Sequence, residues 1–233
     1  FTNGEPGLIA MTSGEHPATS ESGKHLRKQG WELHDLTVDS EGLLVTTQYK
    51  EMAWDRLKLV TVILAHNESG VIQNLKPLSD MCRERGIPFH VDAVQAVGKI
   101  SVRFHELGTT TLALGAHKFH GPRGIGALLL KEDVTLSPHL FGGHQEAGRR
   151  PGTESVALIA GMAKALELWH ADHQARVDSI RTLRDRLQSG LMEACSPAVV
   201  NGSLEQRLPN TLNISFPGVE GEAMLIALDL DGV

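Results

Sequence analysis

The chain has 233 residues, 41% of them apolar and 21% charged, with 22 Lys and Arg against 28 Asp and Glu for a net charge of −6. Those proportions are globular and exclude a disordered chain, a collagen and a coiled coil. The acidic balance argues against direct nucleic-acid binding, which needs surplus Lys and Arg. No apolar run approaches the ~18 residues that a membrane-spanning helix requires.

Phe1-Thr2-Asn3-Gly4 reads as a strand end running into a glycine turn, and Phe1 is not a translation start. Gly7 to Thr12 is a short apolar run that ends in Ser13-Gly14-Glu15-His16. A helical stretch over Ser20 to Gln29 follows, with Gly30 as its stop. Leu57 to Ala65 (LKLVTVILA) is β-branched and nearly all apolar, as a strand covered on both faces is. It ends in His66-Asn67-Glu68-Ser69-Gly70. Lys76 to Arg85 predicts a helix with Leu75, Leu78 and Cys82 on one face. Ile87 to Val91 predicts the next strand, ending at Asp92. Leu112-Ala113-Leu114 predicts another, ending in Gly115-Ala116-His117-Lys118, and Ile125 to Leu130 a further one. This rhythm predicts an α/β fold, a mostly parallel sheet wound with helices on both faces.

Thr153 to Glu193 reads as helical, with Val177, Ile180, Leu183, Leu187 and Leu191 in one apolar stripe. Thr211 to Phe216 predicts a strand and Glu222 to Leu228 a short helix. A boundary near Ala171 divides a large domain, residues 1–171, from a smaller α+β domain, residues 172–233. The sequence stops at Val233 as a new strand begins, which reads as an incomplete record of a longer protein. Its two cysteines, Cys82 and Cys195, do not form a disulfide framework, so a reducing cytoplasm is expected.

In wound parallel sheets, ligands bind beyond the carboxyl ends of the strands. His16, Asn67, Asp92 with Gln95, and His117-Lys118 all follow predicted strands. Asp92 lies among apolar neighbours and needs a partner, either a ligand or the turn that it caps. Lys118 stands in an irregular loop shaped by Gly115, Gly121, Pro122 and Gly124. There it is either a solvated lysine or a partly desolvated one able to form an imine with a carbonyl. An acid at one strand end and an imine-forming lysine at another match the needs of pyridoxal phosphate: the acid keeps the pyridine nitrogen protonated, and the lysine tethers the aldehyde.

His16 either stacks on a flat cofactor or is a loop histidine. Asn67 and Gln95 either bond a ring oxygen or substrate carboxylate, or are a turn Asn and an exposed Gln. His117 and Thr153 are candidate phosphate ligands, and for Thr153 a plain helix N-cap reads equally well. A zinc site is disfavoured, since neither HExxH nor paired CxxC occurs. Gly121, Gly124 and Gly126 lack the spacing of a dinucleotide loop.

At these residues the chain resembles the cysteine desulfurase and selenocysteine lyase family, within the class V aminotransferase-like, fold-type-I pyridoxal phosphate enzymes. Five motifs in order carry the likeness. They are Glu15-His16, Asn67-Glu68-Ser69-Gly70-Val71-Ile72-Gln73, His90 through Lys99, His117 through Gly126, and Gly142 through Thr153. The resemblance implies catalytic roles for Lys118, which holds the cofactor and shuttles the substrate α-proton, and for His16, which stacks on the ring. It also implies that Asp92 meets the pyridine nitrogen, Gln95 the ring hydroxyl, and His117 the phosphate. Asn67 would help hold the substrate carboxylate, and Thr153 would reach the neighbouring subunit's phosphate in a homodimer.

Gly115 replaces the family's phosphate-binding Ser, and His66 replaces a frequent Asn. Phe1 to Gly4 looks like the start of the family's phosphate loop, but Glu5-Pro6-Gly7 does not continue it, which suggests residues missing after Gly4. The family's nucleophilic cysteine and substrate-binding Arg are expected beyond Val233. The leading expectation is therefore an L-cysteine desulfurase, which makes alanine and an enzyme persulfide and passes sulfur to an acceptor protein, as in iron–sulfur cluster biogenesis. Selenocysteine lyase, another class V enzyme of transaminase or kynureninase type, and a non-catalytic dimeric scaffold are the alternatives.

Overall fold

A computed structural model describes residues 5–233, so the readings placed on Phe1 to Gly4 lie outside the described residues. A six-stranded sheet has the order β2-β1-β3-β4-β5-β6. Its strands are β1 (Leu8–Thr12), β2 (Glu32–Leu36), β3 (Leu57–Ile63), β4 (Phe89–Asp92), β5 (Thr111–Gly115) and β6 (Gly126–Leu130). The first five run parallel. β6 pairs antiparallel with β5, because the loop between them is too short for a crossover connection.

Every residue of β1 is buried, and so are five of the seven residues of β3. Side chains alternate between faces along a strand. On one face Leu8 and Ala10 join the core cluster that contains Leu78 and Cys82 of α2 (Lys76–Glu84). On the other, Met11 meets α1 (Pro17–Arg27) at Gly23, where an added Cβ would lie 2.9 Å from the Met11 sulfur. Helices thus cover both faces, and the sequence of β3 reads as a continuous apolar run for that reason. A short helix α3 (Phe104–Leu107) precedes β5.

The predicted helical stretch from Thr153 divides into α4 (Val156–Ala171) and α5 (His173–Ala194), with non-helical backbone at Asp172. The α5 stripe exists, but Ile180, Leu183 and Leu187 on it are exposed. β7 (Val199–Val200) and β8 (Ile214–Ser215) form a small antiparallel ribbon, followed by α6 (Gly221–Leu230).

Between β7 and β8 the chain returns to the turn after β3. Ile72 N donates to Gln206 O (2.8 Å) and Leu208 N to Gly70 O (2.8 Å). The contact is close: a Cβ on Gly70 would lie 2.6 Å from Thr211 Cβ, and one on Gly202 would lie 2.7 Å from Val71 Cγ2. No helix among the described residues is long and apolar enough to cross a membrane.

Candidate active site

The carboxyl ends of β1, β3, β4 and β5 lie side by side in the sheet, so the loops that leave them share one edge. After β1, Glu15 turns inward. Its Oε1 accepts from Thr12 Oγ1 (2.7 Å) and from Ile63 N in β3 (2.7 Å), while its Oε2 is buried without a partner among the described residues. Burial pushes the Glu15 carboxyl up to about 7. The bonds from Thr12 and Ile63 oppose the rise, and the charge of Asp92 adds to it. His16 is exposed and N-caps α1, its Nδ1 accepting from Ala18 N (3.1 Å), with Pro17 opening the helix.

After β3, His66 closes the turn that carries Asn67. Its Nδ1 accepts from Ser69 N (3.1 Å) and Glu68 N (3.3 Å), a role in which an Asn side chain also serves. A Cβ on Gly14 would touch the His66 ring at 3.3 Å, so the loops after β1 and β3 adjoin. Asn67 is half-buried.

Asp92 ends β4, opposite Ile63 of β3 and Ala113 of β5, and is 7% exposed. Its Oδ1 accepts from Val94 N (2.9 Å), so it caps the following turn and still has a second oxygen to offer. Two residues earlier, His90 Nδ1 meets Thr111 Oγ1 at 2.7 Å, and burial holds the imidazole below its ordinary pKa while Asp92 opposes that effect.

β5 leads into a 3₁₀ turn, Ala116–Phe119. Ala116 and Phe119 are buried and anchor this turn, which leaves His117 and Lys118 exposed. Of the two readings open for Lys118, the structure shows the solvent-exposed one: its two apolar neighbours take the inward positions. The His117 ring folds back over Gly115, where a Cβ would meet Cε1 at 3.3 Å.

Asp92 and Gln95 after β4 thus stand beside His117 and Lys118 after β5, with Glu15 and His16 after β1 and Asn67 after β3 along the same edge. Thr153 is exposed on a separate segment and is not the cap of α4; Ser155 occupies that position, which corrects the N-cap reading. Cys82 lies in the core, its thiol pushed up to about 12 by burial, and Cys195 is exposed at the end of α5. Sequence reasoning assigned no role to Glu15 or Lys99. The signal for Glu15 was an acid placed directly after an apolar strand.

The family model described as Aminotransferase class-V matches residues 4–233. The chain belongs to that family. Among curated relatives of this class V member, a cysteine desulfurase of Enterobacter agglomerans is 42% identical over 226 residues, covering 97% of this chain and 56% of the relative. Among solved structures, a NifS-like protein superposes with a TM-score of 0.94 at 33% identity, covering 99% of this chain and 63% of that one. A structure described as SspA in complex with cysteine gives a TM-score of 0.77 at 27% identity, covering 97% and 62%. The chain thus spans little more than half the length of the curated relatives it matches. The fold is that of the fold-type-I pyridoxal phosphate enzymes, with its mostly parallel central sheet.

Proposed function

We propose that this chain serves a pyridoxal phosphate-dependent cysteine desulfurase, which converts L-cysteine to alanine and passes the sulfur to a thiolate. One observation carries the reading: a buried carboxylate, Asp92, ends one strand, and Lys118 follows the end of the next strand in the sheet. The donor set suits the cofactor. Asp92 retains an oxygen for a pyridinium N–H, Gln95 offers an amide, His16 an exposed imidazole, and Lys118 a primary amine. When bound, pyridoxal phosphate supplies an electron sink for the bonds around the substrate α-carbon.

The residues of the chain supply further parts of the chemistry. In this reading Lys118 would tether the aldehyde and would take and return the α-proton. Asn67 would hold the substrate carboxylate from the turn that His66 closes. His117 contributes to the phosphate site, with Gly115 opposite it in place of a hydroxyl donor. The buried, high-pKa thiol of Cys82 is unsuited to attack sulfur. Cys195 caps α5 and belongs to none of the loops that leave β1, β3, β4 and β5. The acceptor thiolate in this reading comes from neither.

The reading includes a homodimer in which exposed Thr153 serves the partner's phosphate site, an acceptor protein for the sulfur, and a reducing cytoplasmic setting. It also places a domain boundary at the helix break beside Asp172. The relative solved with cysteine supports the choice of substrate. The test is borohydride reduction of the chain with pyridoxal phosphate, followed by peptide mass analysis. A pyridoxyl group on Lys118 is expected, together with alanine formed from cysteine when dithiothreitol is present as acceptor. Lys118→Ala will lose both. A chain that takes up no cofactor, or carries it on another lysine, overturns the proposal.

A further inference from the structure

The turn after β4 carries a lysine to which the proposed chemistry gives no part. In this turn the amides of Val97 and Ile100 donate back to the carbonyls of Ala93 and Ala96, both at 3.0 Å. The compact winding sets Gln95 and Lys99 together, and Lys99 Nζ donates to Gln95 Oε1. An ammonium has donors only, so the Gln95 atom that faces it is the carbonyl oxygen. The free end of Gln95 is therefore its NH₂.

The arrangement is built into the fold. Gly98 has a φ of +77°, and a Cβ there would lie 2.1 Å from Phe119 Cβ, so the turn lies directly against the segment that carries Lys118. Lys99 is half-buried. Burial lowers its pKa, and the nearby charge of Lys118 acts in the same direction.

We propose that Lys99 is a positioning residue: by occupying the amide oxygen of Gln95 it fixes the NH₂ as the end presented to the ring oxygen of the cofactor. The inference rests on the cofactor reading above. Without Lys99 the Gln95 amide rotates freely and presents its acceptor as readily as its donor, and an acceptor repels an anionic ring oxygen.

The test is equilibrium binding to the cofactor-free protein, read by tryptophan fluorescence or calorimetry. The probes are pyridoxine 5′-phosphate and its 3-deoxy analogue. Neither has an aldehyde, so Lys118 cannot trap them. Wild type is expected to prefer the hydroxylated probe by about tenfold, the worth of one good hydrogen bond. Lys99→Met is expected to erase that preference, Gln95→Ala to erase it equally, and the double variant to lose nothing more. Lys99→Arg, which keeps a donor-only head group, is expected to retain it. A purely structural role for Lys99 would weaken both probes alike and leave their ratio intact, which would overturn the inference. So would an unchanged preference in Lys99→Met. Wild type that binds neither probe would instead sink the cofactor reading itself.

Discussion

Replacing Glu15 by Gln will remove a pH dependence from the stability of the protein. The Glu15 carboxyl is raised from an ordinary 4.5 to about 7, chiefly by burial. A raised acid pKa means that the folded state holds its proton more tightly than the unfolded chain does. Stability from this group is therefore complete below about pH 4.5, falls as the pH rises, and is lost above about 7. At ~1.4 kcal/mol per pH unit, that interval amounts to about 3 kcal/mol. Gln cannot ionise, and its carbonyl still accepts from Thr12 Oγ1 and Ile63 N.

The measurement is urea unfolding of the cofactor-free wild type and Glu15→Gln at several values between pH 4.5 and 8.5. The stability of Glu15→Gln relative to wild type should rise by about 3 kcal/mol across that range. Taking the difference cancels the histidines, His90 among them, that titrate in both proteins. Asp92 is the charged group that acts on Glu15, so Asp92→Asn should make the rise smaller and complete it at lower pH by favouring ionisation of Glu15. A difference that stays flat within about 1 kcal/mol would refute the reasoning, because burial would then not be setting the protonation of Glu15.

Gly98→Ala will be destabilising by about 2–4 kcal/mol, from left-handed backbone and overpacking against Phe119. Thermal unfolding should show it as a fall of several degrees, and an unchanged midpoint would count against the contact. In the native protein, iodoacetamide should label Cys195 and spare Cys82, whose thiol is buried; labelling counted by intact mass checks this, and rapid modification of both would contradict it. His66→Ala should weaken the Asn67 turn by about 1 kcal/mol, on the scale of a lost cap. His66→Asn should restore it, and a substrate KM that moves with the stability would tie the turn to binding.

The apolar runs of β1 and β3 were legible because both strands are covered on two faces, so most of their residues are hydrophobic. β2 was missed for the opposite reason: it lies at the sheet edge, and its sequence, Glu32-Leu33-His34-Asp35-Leu36, is largely polar. The sequence expectations grouped Asp92, Gln95, His117 and Lys118, and those residues follow neighbouring strands. The chain order could not reveal the partner of Glu15, the Ile63 amide 48 residues away. Lys99 escaped because its meaning depends on which atom of Gln95 it faces. The break at Asp172 lies beside the boundary expected near Ala171, but the interruption of the helix itself was not read, because residues on both sides favour helix.

The backbone bonds between Gly70–Ile72 and Gln206–Leu208 act as a tether between distant lengths of polypeptide. They join the 206–208 segment to the turn that carries Asn67, three residues before Gly70, so movement of one segment pulls on the other. Gly70 and Gly202 leave no slack in this linkage, since each is pressed against a side chain. Leverage applied to the later third of the molecule thus arrives at the turn that carries Asn67, the residue proposed to hold the substrate carboxylate.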